Sequence, residues 1–337
     1  MYRVIVVCLF GLFPVCVQSA QTVTFKIATL APDGTTWMKE MRNGAEEIKA
    51  RTGGRVKFRF FPGGIMGNDK SVLRKIRVGQ LHGAALTAGG LSDIAPDSQI
   101  YTLPLAFRSL DEVDYVRQRM DTVILNELLH KGFVSFGLSE GGFAYLMSNR
   151  SLRKAGDLKG QKVWIPEGDR ISRAGFEAVD VSPIPLSVAD VLTGLQTGLI
   201  DTVGISSTGA IALQWYTHVK YITEMPLLYL YDTLIIKQKT FEKLSLEDQE
   251  IVRTVMTGIT DRLNEQTRSD NRQAYDALGQ RGIIFVETTQ EDRAVWEASM
   301  ARAMDRLADD GVFSKSILQA LRRHVADYRR TVGDPDL

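Results

Sequence analysis

The sequence predicts an α/β fold in two lobes. Three observations carry that expectation. Strands and helices alternate in two stretches separated by about a hundred residues, two extended apolar segments lie between and after them without internal turn signals, and the chain is long for a single core.

The first stretch opens at "TVTFKIATL", which alternates and then runs apolar as a strand does. "TTWMKEMRNGAEEIKARTG" follows with helical spacing at Trp37, Met41, Ala45 and Ile48, and Gly53 stops it. "RVKFRFFPGG" is a second strand, ended by Pro62 and two glycines; "NDKSVLRKIRVGQ" is a helix with Val72, Leu73 and Ile76 on one side; "LHGAALTAGG" is a short buried strand. This βαβαβ order implies parallel pairing with helices on both faces. The second stretch repeats the pattern, though not the sequence, in "QKVWIPEG", "RISRAGFEAV", "VSPIPLS", "VADVLTGLQTG" and "IDTVGISS". "FVSFGLSEGGFAYLMSNR" and "EMPLLYLYDTLIIKQKTF" are expected to be strands crossing from lobe to lobe, because a long crossing needs a stiff element. The tail from Leu246 to Arg330 reads as helical, with Val252, Val255, Met256, Ile259 and Leu263 on one face. The expected lobes are residues 21–142 with about 231–270, and residues 143–230 with about 271–337.

Residues 1–20 read as a cleaved signal peptide. Arg3 precedes an apolar run from Val4 to Val17, and Gln18, Ser19 and Ala20 precede cleavage after Ser19 or Ala20. Pro14 interrupts a run already short of the ~20 residues a spanning helix needs. Both cysteines, Cys8 and Cys16, fall inside this segment, so the mature chain has no thiol for a disulfide, a nucleophile or a metal site. Phe13, Pro14 and Val15 fit a lipobox poorly, which argues against a lipid anchor. An exported chain without disulfides fits a bacterial periplasm. Removing Arg3 leaves 40 basic residues against 40 acidic ones, and a nucleic-acid partner would ask for a basic excess.

Chemical motifs are scarce. His82, His130, His218 and His324 are scattered, so no zinc site is expected, nor any cofactor. "PGGIMG" and "GQRG" lack the spacing of phosphate-binding loops. "GISSTG" is not the Gly-x-Ser-x-Gly of a nucleophile elbow. Asp190 and Asp201 do not make a catalytic pair by spacing, and Asp190 reads as a helix cap. A two-lobed α/β chain without a catalytic signature suits a solute receptor, because ligands settle at the carboxyl ends of strands and two facing sheets make a cleft.

From Phe25 to about Arg330 the chain resembles the solute-binding proteins of tripartite ATP-independent periplasmic (TRAP) transporters. The matching stretches are "KIATLAPDGTTW", "FFPGGIMGNDKSVLRKIRVGQL", "DLKGQKVWIPEGD", "SPIPLSVADVLTGLQTGLIDTV" and "FEKLSLEDQEIV". The resemblance implies a Venus-flytrap receptor: two α/β lobes joined by crossing strands and a long C-terminal helix, monomeric, without catalytic activity, closing on one solute and docking on a membrane permease.

Three positions depart from the family pattern. Where "LKGxKxRxP" has an arginine that grips a carboxylate, this chain has Trp164; where "GGFRxLxSN" has arginine it has Ala144; where an asparagine is usual it has Ile205. Trp164 is expected at the cleft end of its strand, offering an apolar wall and an N–H donor to an apolar, aromatic or flat neutral solute; the alternative is a core residue whose neighbours Val163 and Ile165 face the other way. The other candidate ligand-binding positions are Thr35, Trp37, Met66, Asp69, Thr87, Ala88, Phe143, Tyr145, Glu167 and Ser206 with its neighbour Ser207. The serines serve equally well as caps. Trp215 and Tyr216 are read as lobe packing or a permease-facing surface. Arg170 or Arg173 offers an alternative route to an acidic solute, against a reading of both as a solvated helix face. An exported enzyme on the same scaffold is the alternative of another class.

Overall fold

In the computed structural model, which describes residues 22–333, the strands and helices fall where their periodicity puts them. The signal peptide and its cysteines lie outside the described residues. The first unit runs β1 (Val23–Ala28), α1 (Thr36–Arg51), β2 (Val56–Phe61), α2 (Asp69–Arg77), β3 (Gly83–Thr87) and a short α3 (Ala88–Leu91). β1 pairs parallel with β2 and β3. Each helix is started by a side chain: Thr35 caps α1, Asn68 caps α2 and Thr87 caps α3, each oxygen accepting a backbone N–H that the helix leaves unbonded.

A 3-10 turn Pro96–Thr102 leads to α4 (Leu110–His130), β4 (Phe133–Ser135) and β5 (Ser139–Ser148), the first crossing strand. The second lobe holds β6 (Trp164–Pro166), α5 (Arg170–Glu177), β7 (Ile184–Leu186), α6 (Val191–Thr197), β8 (Thr202–Ile205), α7 (Ser207–Ala212) and β9 (Tyr221–Thr223). β10 (Leu228–Lys237) crosses back, antiparallel to both β5 and β3. α8 (Gln238–Phe241), α9 (Leu246–Gln280), β11 (Ile284–Val286), α10 (Gln290–Asp309) and α11 (Lys315–Val332) complete the chain. A nine-stranded sheet, ordered β11-β9-β5-β10-β3-β1-β2 with β4 on β10 and β8 on β5, runs through both lobes; β6 and β7 form a separate parallel pair.

The lobes have separate cores on the two sheet faces. In the first lobe, Phe25 and Ile27 of β1 and Leu234 and Ile236 of β10 pack on Met41 and Ile48 of α1 and on Val252, Val255, Met256, Ile259 and Leu263 of α9. The five α9 residues are those whose spacing marks one helix face. The opposite face packs on α2, α4 and α11. The last of these moves the expected lobe boundary. Ile317, Leu318, Leu321 and Val325 of α11, with Ala303 and Leu307 of α10, join the first-lobe core, while Trp296 and Met300 at the start of α10 join the second. Residues after 271 therefore do not all belong to the second lobe. α10 carries the chain back, because its apolar face is long enough to serve both cores.

α9, about 52 Å long at 1.5 Å per residue, is continuous over 35 residues and passes from the first-lobe core to Leu278 in the second. Polar bonds fix it to the crossing strand. Arg268 donates to Glu140 Oε2 (2.9 and 2.8 Å) and to Asp114 on α4 (2.8 and 2.5 Å). Asn271 donates to the Gly141 carbonyl at 3.1 Å and accepts from Thr208 of α7.

Candidate functional site

The carboxyl ends of β1, β2 and β3 face the second lobe, as ligand-bearing ends of α/β sheets do. A crevice there is lined by Thr29, Leu30, Met66, Asp69, Ala85 and Leu86. Asp69 accepts a hydrogen bond at 2.9 Å from Thr87, which in turn caps α3 by accepting from Gly90 N at 3.1 Å. A Cβ at residue 90 would stand 2.1 Å from Asp69 Oδ2, so glycine there is what lets the carboxyl reach Thr87. Burial pushes the Asp69 carboxyl up to about 6, and the Thr87 hydrogen bond holds it back from going further.

Asp232 on β10 lies directly opposite Thr87 in the antiparallel ladder. Its carboxyl is pushed up to about 7 by burial, eased by the Trp37 indole and raised again by the charge of Asp69. Asp69 Oδ1, Asp232 Oδ1 and Trp37 Nε1 are all buried outside hydrogen-bond geometry. No local pattern marks Asp232: it stands in an apolar run, and only strand pairing brings it beside Thr87.

Across the cleft, Asn68 Nδ2 donates to Glu167 Oε2 at 2.8 Å, joining the loop before α2 to the loop after β6. Asn68 was not among the expected residues, although its place at a helix start was readable.

The expected Trp164 geometry is corrected. Trp164 opens the three-residue β6, and the cleft end of that strand is Pro166. The indole is 6% exposed, packs edge-on against Trp215 at 5.1 Å, and donates its N–H to the Leu186 carbonyl at 3.0 Å. Neither a free donor nor an open aromatic wall is left; the indole fills the second-lobe core with Val191, Leu195 and Ile200.

Other positions separate in the same way. Ala144 and Ala88 are fully enclosed, Ala88 within the first-lobe core. Strand alternation turns Phe143 and Tyr145 away from the face of Ala144, so the three do not make one wall. Phe143 packs against Tyr229 and Tyr145 against Tyr275. These two line a different cavity of about 240 Å³ between β5 and α9, together with Ser207, Arg268, Asn271 and Arg272. Ile205 stands opposite Tyr145 and packs beside Gly209. Thr35 and Ser206 use their hydroxyls as helix caps. Trp215 is buried, whereas Tyr216 lies under the Arg281 guanidinium. Arg173 pairs with Glu177 at 3.7 Å on an exposed helix face, and Arg170 is exposed beside it. Among the described residues no helix is long and apolar enough to cross a membrane.

Two lobes, crossing strands and a crevice at the strand ends are the architecture of a solute receptor of the flytrap class. Residues 27–310 match the family model for bacterial extracellular solute-binding protein, family 7, and the chain belongs to that family. The C4-dicarboxylate-binding periplasmic protein DctP of Rhodobacter capsulatus is 23% identical over 296 residues, covering 86% of this chain and 88% of that protein. The uncharacterized protein YiiZ of Salmonella typhimurium is 25% identical over 217 residues, 61% of this chain and 64% of that one. Among solved structures, a TRAP periplasmic solute-binding protein from Sulfitobacter with bound β-D-galacturonate superposes with a TM-score of 0.83 at 19% identity, covering 89% of this chain and 100% of that one. One from Shewanella oneidensis with bound succinate gives 0.83 at 19%, covering 90% and 99%.

Proposed function

We propose that this chain, exported and freed of its signal peptide after Ser19 or Ala20, is a periplasmic receptor that captures a small organic solute between its lobes and hands it to a TRAP membrane permease, acting as a monomer without catalysis of its own. The solute is one that does not depend on a carboxylate clamp: its body is apolar or aromatic, or neutral and flat. The receptor role rests on the family match over residues 27–310; the solute preference rests on apolar side chains at 144, 164 and 205, where the resemblance implies polar anchors, with the indole at 164 held in the lobe interior and not in the cleft. A buried guanidinium there would have no partner.

Arg173, engaged with Glu177 on a solvent face, does not support a substitute clamp. Nor does an enzyme find support in the two buried carboxyls: Asp69 acts on Asp232 by its charge, and neither has a hydrogen bond to the other.

Thermal melting against acids, aromatic compounds and polyols tests the receptor reading, since a bound solute raises the melting temperature by mass action. Closure on a solute buries apolar surface, so calorimetric titration gives a negative heat-capacity change. Selective stabilisation by dicarboxylates, lost in Arg170→Ala, would overturn the specificity while leaving the receptor role.

A further inference from the structure

We propose that the solute presents a protonated nitrogen, as an ammonium, amidinium or guanidinium group, to Asp69 and Asp232, which together form the recognition point on the first lobe. The inference rests on the receptor reading above and adds a charged nitrogen to a solute whose body is otherwise uncharged.

Two carboxyls meet at Thr87, one by a hydrogen bond and one by strand pairing, and among the described residues no basic side chain bears on either of them. The Thr87 hydroxyl hydrogen is engaged by Asp69 and is not available to Asp232. The groups that bear on Asp232 are Asp69 from α2 and the Trp37 indole from α1; those that bear on Asp69 are Thr87 and Asp232. From the neighbouring strand, Glu140 is taken by Arg268 on the far side of β5. The two lysines of α2 are turned elsewhere: the Lys75 ammonium donates to the Met66 carbonyl at 2.7 Å, and Lys70 lies against Gly168 of the other lobe.

Buried carboxyls are normally paired with a cation or saturated with donors. Here one oxygen on each is shut off from water, and among the described residues the donors that bear on the pair are neutral, the Thr87 hydroxyl at Asp69 and the Trp37 indole at Asp232. A neutral hydroxyl could satisfy one oxygen but would leave the two charges repelling each other, whereas a cation with several N–H donors relieves both. Gly90 adds an independent sign of construction, because any side chain there would displace Asp69 from this position.

The test is calorimetric titration and thermal melting of the purified protein with acetamidine and 1,4-diaminobutane as cationic probes, erythritol as a neutral one and succinate as an anion. At pH 8 a cation binds and stabilises while erythritol does not. Its affinity falls several-fold or more at pH 5.5, where both carboxyls hold protons, and at least ten-fold in Asp232→Asn. Asp69→Asn weakens it as well, which guards against a folding defect peculiar to one variant. Absence of binding by both cations at pH 8, or equal binding by Asp232→Asn, overturns the proposal. Succinate binding that is unchanged in Asp232→Asn would also overturn it, and would leave the receptor reading intact.

Discussion

Asn68 of the first lobe donates a hydrogen bond to Glu167 of the second at 2.8 Å, tying the two rims of the cleft together. The same Asn68 accepts from Ser71 N at 3.1 Å as the cap of α2. Asn68→Asp keeps the cap and places a like charge before Glu167, so it favours the open form without weakening the helix. An interlobe distance measured by paired spin labels increases in that variant, and solute affinity falls by a few-fold, as expected of a partly exposed contact. Unchanged distances would show that the bond does not bias closure.

Trp164→Arg tests the place of the indole. The guanidinium would enter a core with no acid to receive it, lowering stability by about 3 kcal/mol or more. Trp164→Phe loses only the N–H to Leu186 and some volume, at about 1–2 kcal/mol. Denaturant titration reads both. Full stability of the arginine variant would mean that the side chain has access to the cleft.

Asp232 makes stability depend on pH in a definite direction. Its folded value of about 7 lies above the ordinary carboxylate range, so the folded state keeps a proton that the unfolded chain gives up. Stability therefore falls as pH rises from roughly 4 towards 7 and then levels off. Asp232→Asn removes that dependence: it is close to neutral near pH 4.5 and stabilising by about 1–3 kcal/mol near pH 8 in the absence of solute. Melting curves of the two proteins across that range check the sign.

Arg268 joins α9 to α4 and β5 through Asp114 and Glu140, and Glu140 is almost wholly buried. Arg268→Met strands the Glu140 charge and costs about 3–5 kcal/mol, whereas adding Glu140→Gln recovers much of it. A double-mutant cycle by denaturant titration gives the coupling; additive losses would sink the network.

Gly90→Ala is expected to displace the Asp69 carboxyl by direct collision, since the new Cβ would lie 2.1 Å from Oδ2. Solute affinity falls by at least ten-fold with a melting temperature changed by only a few degrees, because Gly90 stands at the rim and not in a core. Affinity equal to that of the parent would show that Asp69 is not held where it acts.

The strands and helices were legible because apolar period and glycine or proline stops agree along "RVKFRFFPGG" and "NDKSVLRKIRVGQ". The crossing strands were readable for the same reason, being long apolar runs without turns. Trp164 was misplaced because β6 has only three residues, too few for alternation to say which face is buried. Asp232 was missed because its meaning comes from pairing with Thr87, a long-range register that no local pattern encodes. The return of α11 to the first lobe was hidden too, since an amphipathic helix shows that it has an apolar face but not which core receives it.

α11 supplies Ile317, Leu318, Leu321 and Val325 to the core begun by β1 and β3. A core begun by the first strands is therefore sealed by a helix from the far end of the described residues. A fragment ending after α9 would carry a raw greasy flank along α4. Closure of the first-lobe core waits until α11 has been made.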